Sequence, residues 1–98
     1  MTERDAKKEL MRRAKDIDAT VRVGKDGIGE SLFAEITAQL KKRRLIKVKI
    51  LKNAESDADD TAEAIAAATD SVVVDVRGGV VTLTDKRTWS SLCQKKFE

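Results

Sequence analysis

The chain has no histidine, no proline and no tyrosine, and one cysteine and one tryptophan among its 98 residues. Most of these absences exclude a class of function. Without histidine the commonest proton shuttle near neutral pH is missing. Ser31 and Ser56 have no base beside them and Cys93 has no histidine to activate it, so no catalytic residue and no enzymatic activity are predicted. A lone cysteine cannot form an intramolecular disulfide, suits a reducing compartment, and reads as a small buried hydrophobe. Aromatic residues are 3% of the chain, too few for a platform on which successive bases stack, and Trp89 reads as core. No stretch approaches the roughly 20 apolar residues of a membrane span, and no basic segment leads into an apolar run with a cleavage site. The expectation is a soluble cytoplasmic protein with no membrane partner. Asp57, Asp59, Asp60 and Glu63 have the chemistry to hold a hard cation. At a helix start they serve as caps and solvated surface instead, and neither metal nor cofactor is predicted.

What the chain does have is charge, unevenly placed. Charged residues are 38% of the total and the net charge is +3. Residues 1–53 carry 15 Lys and Arg against 8 Asp and Glu, residues 54–84 carry 1 Arg against 7 acids, and residues 85–98 carry 4 against 2. If each region keeps its own surface, one side of the molecule is electropositive and attracts a polyanion.

Hydrophobic spacing predicts the order αβαβαββ, an α/β sandwich of two or three layers around a mixed four-stranded sheet, in one domain over residues 1–98. Thr2, with Asp5 three residues on, caps a first helix, whose apolar positions include Ala6, Leu10, Ala14 and Ile17. Val21 to Val23 form a short strand. A second helix runs from about Glu30 to Arg43 on the apolar face Ile28, Leu32, Phe33, Ile36 and Leu40. The alternation of LIKVKIL, Leu45 to Leu51, is a strand with Lys47 and Lys49 on its wet side. Ser56 or Asp57 caps a third helix with the stripe Ala58, Ala62, Ile65 and Ala66, ending near Thr69. Strands Ser71–Arg77 and Val80–Thr84 are joined through Gly78-Gly79, a strong hairpin signal. Residues 85–98 have no clear period, and a short terminal helix or an extension would both accommodate Trp89, Leu92, Cys93 and Phe97.

Between the first strand and the second helix lies Gly24-Lys25-Asp26-Gly27. It is not a mononucleotide P-loop, because Gly27 is followed by Ile28 where Lys and then Ser or Thr are needed. Nor is it a dinucleotide fingerprint, whose order GxGxxG is here GxxGxG through Gly29. Two readings remain. It is a plain turn, or it is a loop that lets a sugar–phosphate backbone approach exposed amides at the helix start, as in the GxxG clamp of KH-type RNA-binding domains.

The segment TVRVGKDGIGESLFAEITAQLKKRRLIKVKI resembles the core of the CRM domain family, RNA-binding domains of chloroplast splicing factors and of small bacterial and archaeal ribosome-associated proteins. Val21, Val23, Gly24, Lys25, Gly27 and Ile28 match the family's glycine segment, and Leu45, Ile46, Lys47, Val48 and Lys49 match its second strand. Leu10 and Ala14 fit its first helix, and the resemblance extends from about residue 7 to residue 83. It implies a fold similar to the C-terminal domain of translation initiation factor three and a GxxG loop that touches RNA. Where the family has a proline before the first strand, this chain has Ala19 or Thr20. Where the family tends to an aromatic and an arginine after the hairpin, it has Thr84 and Asp85, with Lys86 and Arg87 as stand-ins.

The RNA-contact candidates are therefore Gly24, Lys25, Asp26 and Gly27 with the flanking Arg22. Arg12, Arg13 and Lys15 on the first helix, and Lys41, Lys42, Arg43 and Arg44 at the end of the second, join them on charge. Charge asymmetry alone is compatible with RNA, with duplex DNA bound by a small basic chromatin protein, and with an adaptor on the ribosome whose acidic segment, residues 54–84, docks on a basic protein. The resemblance selects structured RNA, held largely through phosphates by a monomer, and points to large-subunit ribosomal RNA or its precursor during ribosome assembly.

Overall fold

The computed structural model describes residues 2–24, 28–51 and 58–94. Helix α1 (Glu3–Ala14) begins as its sequence dictates: the Thr2 hydroxyl accepts from the Asp5 amide at 3.2 Å and donates to the Asp5 carboxylate at 2.9 Å. Its i, i+4 positions Ala6, Leu10 and Ala14 are fully buried. Strand β1 (Ala19–Val23) is followed by α2 (Glu30–Arg43), β2 (Leu45–Ile50), α3 (Ala58–Thr69), β3 (Ser71–Arg77), β4 (Val80–Asp85) and α4 (Lys86–Gln94).

The strands form one sheet in the order β1-β2-β4-β3, with β1 parallel to β2 and the other two pairings antiparallel. Alternation assigns the side chains to two faces. Val21, Val23, Ile46, Val48, Ile50, Val81 and Leu83 point to one face, where α2 contributes Ile36 and Leu40 and α3 contributes Ala62 and Ile65. A smaller cluster on the opposite face joins Leu45 and Val74 to Ala6, Leu10 and Ala14 of α1 and to Leu92 of α4. The sandwich therefore has three layers.

Of the two alternatives left open for the last residues, the structure takes the helix, so the expected order αβαβαββ is completed by α4 over residues 86–94. Asp85 caps this helix, its carboxylate accepting from the Thr88 amide at 3.4 Å, and Trp89, Leu92 and Cys93, at i, i+3 and i+4, pack on α1. One expectation needs correction. On α3 the buried stripe is Thr61, Ala62, Ile65 and Thr69, while Ala66 is half-buried. Thr69 is tolerated inside because its hydroxyl donates to the Ile65 carbonyl at 2.7 Å. Ser56 and Asp57, the expected caps of α3, lie outside the described residues, as does Phe97.

The β3–β4 hairpin turns through Gly78 and Gly79 at φ +56° and +76°, the positive φ pair of the tightest hairpin turns. At Gly79 a Cβ would lie 3.1 Å from the Ile50 carbonyl oxygen, while the Gly79 carbonyl accepts from the Ile50 amide at 2.6 Å. The turn is thus tied to the end of β2, and a side chain at Gly79 would be tight against the Ile50 carbonyl. Gly79→Ala is expected to cost about 1–3 kcal/mol of stability, from strain at positive φ plus the close contact. Urea unfolding would measure it, and an unchanged midpoint would show that the turn can relax.

Candidate nucleic-acid interface

β1 and β2 run the same way, so α2 crosses back over the sheet and separates two ends. Val23, Ile50 and the Gly78–Gly79 turn gather at one end, where the Leu51 amide donates to the Val23 carbonyl at 2.8 Å. Gly24 follows Val23 here. It is not in the left-handed region, and among the described residues a Cβ on it would meet only Leu51 Cδ1, at an ordinary 3.5 Å. Neither its backbone conformation nor its described neighbours require glycine at position 24. Lys25, Asp26 and Gly27 lie outside the described residues. The chain re-enters at Ile28, and α2 starts after Gly29, which is extended at φ −163° and supplies no side-chain cap. Among the described residues no side chain caps the first amides of α2, at the positive end of the helix dipole, and Glu30 is the acid of that turn.

Lys41, Lys42 and Arg43 occupy the last turn of α2 and are exposed. Fourteen helical residues place them about 20 Å from the glycine end, at 1.5 Å per residue. The sequence candidates therefore divide between opposite ends of the sheet. Arg44 ends the helix at φ 68°, its amide bonded to the Leu40 carbonyl and its own carbonyl accepting from the Thr84 hydroxyl at 2.8 Å. Its guanidinium is 3.4 Å from the Asp85 carboxylate. Lys86, beside it, pairs with Asp70. A groove of about 540 Å³ between α2 and the start of α4 is lined by Lys41, Arg44, Lys86 and Arg87 together with Asp70 and Asp85. This end mixes cations with acids.

Arg12 and Arg13 are engaged within their own helix. Glu9 accepts from Arg12 at 2.6 Å and from Arg13 at 3.1 Å. The Arg12 hydrogen bond is the main reason the Glu9 carboxyl titrates below its usual range, and the same bond raises Arg12. A phosphate at either arginine would have to compete with this carboxylate.

Arg22 points away from the α2–α3 face, because Val21 and Val23 on either side of it are buried there. Lys47 and Lys49 share its face by the same alternation, so α2 does not cover them. Sequence reasoning placed both lysines on a wet side but did not include them among the contact residues. The signal was the K-V-K alternation of β2 beside V-R-V of β1, which register pairs as Arg22 with Lys49.

The fold and this surface define a small three-layer α/β domain that opens its second helix from a glycine-containing segment and displays cations at both ends of the sheet. The pattern of the CRS1 / YhbY (CRM) domain matches residues 3–83, and the chain belongs to that family. A probable RNA-binding protein of Methanocaldococcus jannaschii is 41% identical over 93 residues, covering 92% of this chain and 69% of that one. A probable RNA-binding protein of Bacillus subtilis is 34% identical over 77 residues, covering 79% of this chain and 80% of that one. The solution structure of a hypothetical protein from Staphylococcus aureus superimposes with a TM-score of 0.73 at 34% identity, covering 88% of this chain and 90% of that one. The family match stops before α4. Among the described residues no helix is long and apolar enough to cross a membrane.

Proposed function

We propose that this protein is a non-catalytic RNA-binding protein that grips structured RNA mainly through its phosphates, with the Gly24–Gly27 loop and the start of α2 as the leading contact. The observation that supports the reading is at Gly24: its described neighbours leave room for a side chain there, yet the position holds the residue that gives a backbone ligand the closest access. Membership of a family whose relatives are named probable RNA-binding proteins supports RNA as the polyanion. Ribosomal RNA or its precursor is the proposed target, on the strength of the CRM resemblance, and Lys25 is the proposed mobile cation of the loop.

The segregation of charge supports the same reading. The exposed acids Asp59, Asp60 and Glu63 stand on α3, on the far side of the sheet from Arg22 and Lys49. A polyanion is thus attracted to the Arg22–Lys49 face and repelled from the exposed start of α3.

Competition between structured ribosomal RNA and duplex DNA at matched salt tests the target class. RNA should displace bound RNA far better than DNA does, and a preference for duplex DNA would overturn the proposal. Sedimentation with ribosomal subunits should be abolished by RNase. Association that persisted without RNA would identify a protein partner instead.

A further inference from the structure

One face of the sheet carries a row of side chains that runs across all four strands. Register places Arg22 of β1 beside Lys49 of β2, Lys49 beside Val80 of β4, and Val80 beside Arg77 of β3. At about 4.8 Å per strand the row is roughly 14 Å long. It lies at the glycine end, since Arg22 is two residues before Gly24, and Arg77 and Val80 flank the hairpin turn.

α1 leaves this part of the face uncovered, resting instead on the cluster around Leu45 and Val74. An open groove of about 440 Å³ between α1 and the sheet is lined by Lys15, Lys47, Arg77 and Val80, with Asp75 as its acid. Asp75 is already shared by Lys7 and Arg77, each at 3.6 Å. Arg22, Lys49, Lys47 and Lys15 have no acidic partner among the described residues. Like charges directly opposite on neighbouring strands destabilise a sheet, so Arg22 beside Lys49 is a cost to the free protein that a bound anion would remove.

We infer that this open face is a second RNA-contact surface: a segment of sugar–phosphate backbone leaves the glycine loop and lies across the strands, held by Arg22, Lys49, Lys47 and Lys15. The charge pattern selects the occupant. Arg22 and Lys49 stand side by side in the row, Lys47 and Lys15 line the adjoining groove whose one acid, Asp75, is engaged by Lys7 and Arg77, and no aromatic lines either, which fits a run of phosphates and does not fit stacked bases. The inference rests on the reading of the protein as an RNA binder and extends it from the loop to the sheet.

The test uses the full chain and a structured ribosomal RNA, with affinity measured across a series of salt concentrations. The variants are Arg22→Gln and Lys49→Gln, singly and together, with Lys8→Gln, an exposed cation of α1, as the control. Each face variant is expected to weaken binding roughly threefold at low salt and to flatten the slope of log affinity against log salt by about 0.7–0.9 for each phosphate that is no longer neutralised. Thermal unfolding of the free double variant should occur at the same temperature as the parent or higher, because a repulsion has been removed. Parent-like slopes in both single variants and in the double variant would overturn the inference while leaving the loop reading intact. Failure of the unmodified protein to bind RNA at any salt would overturn both. A slope that fell equally in Lys8→Gln would mean diffuse attraction to the whole surface, and the face would lose its special role.

Discussion

Lys25→Asp should weaken RNA binding at least several-fold, about tenfold at low salt, with an unchanged circular dichroism spectrum. On the proposed contact the carboxylate would repel the phosphates that Lys25 attracts, while an acid near a helix N-terminus is neutral or mildly favourable to the free protein. Lys25→Ala removes only the attraction and should cost on the order of 1 kcal/mol or more of binding, in the range of charge-assisted hydrogen bonds. Gly24→Ala is the companion variant. Its Cβ has ordinary clearance from Leu51 and its φ is not left-handed, so stability should hold or rise slightly as the unfolded chain loses freedom. On the proposed contact binding should fall, because the new methyl group would stand where the RNA backbone approaches. Parent-like affinity in both Lys25→Asp and Gly24→Ala, with each shown to be folded, would mean that the segment is only a turn. Gly79→Ala should behave in the opposite way, losing stability while the folded fraction binds normally. The two glycines thus separate access from conformation.

Leu10→Ala should be strongly destabilising. Leu10 is 0% exposed and sits where α1, the β2 residue Leu45, the β3 residue Val74 and the α4 residue Leu92 meet. Truncating a fully buried leucine costs about 2–5 kcal/mol, by reduced burial and the cavity left behind. That is a large share of the stability of a domain this size. Urea denaturation would give the value, and a change below about 1 kcal/mol would show that the α1–α4 layer can collapse onto the gap. The consequence reaches the candidate interface, because α1 carries Lys15 and forms one wall of the groove beside Lys47.

Much of the architecture was legible in sequence because its signals are local. Thr2 and Asp5 are three residues apart and cap α1 as expected. The α2 periodicity from Leu32 to Leu40 gave a helix at Glu30–Arg43, and Gly78-Gly79 gave a hairpin at its observed place. Helix α4 could have been read from the same kind of signal, Asp85 as cap and Trp89, Leu92 and Cys93 at helical spacing. Its polar remainder obscured that pattern. Thr61 and Thr69 were passed over for alanines on α3 because burial of a threonine depends on a partner for its hydroxyl, and Thr69 finds one in its own preceding turn.

The sequence by itself determined the glycine segment, its position between a strand and a helix, the period of every regular element but the last, and the excess of positive charge in residues 1–53. Alternation also determined that Lys47 and Lys49 share one side of their strand. Only the tertiary structure decided which side of the sheet that is, and that Arg22 stands beside Lys49 on it. It also decided that Lys41–Arg43 lie at the far end of α2 from Gly24, and that Glu9 engages Arg12 and Arg13. The reason is physical. Periodicity reports which residues of one element point the same way, over a few residues of chain. Which face is covered, and which cations end beside an acid or beside each other, is set by strand register and helix packing between segments tens of residues apart.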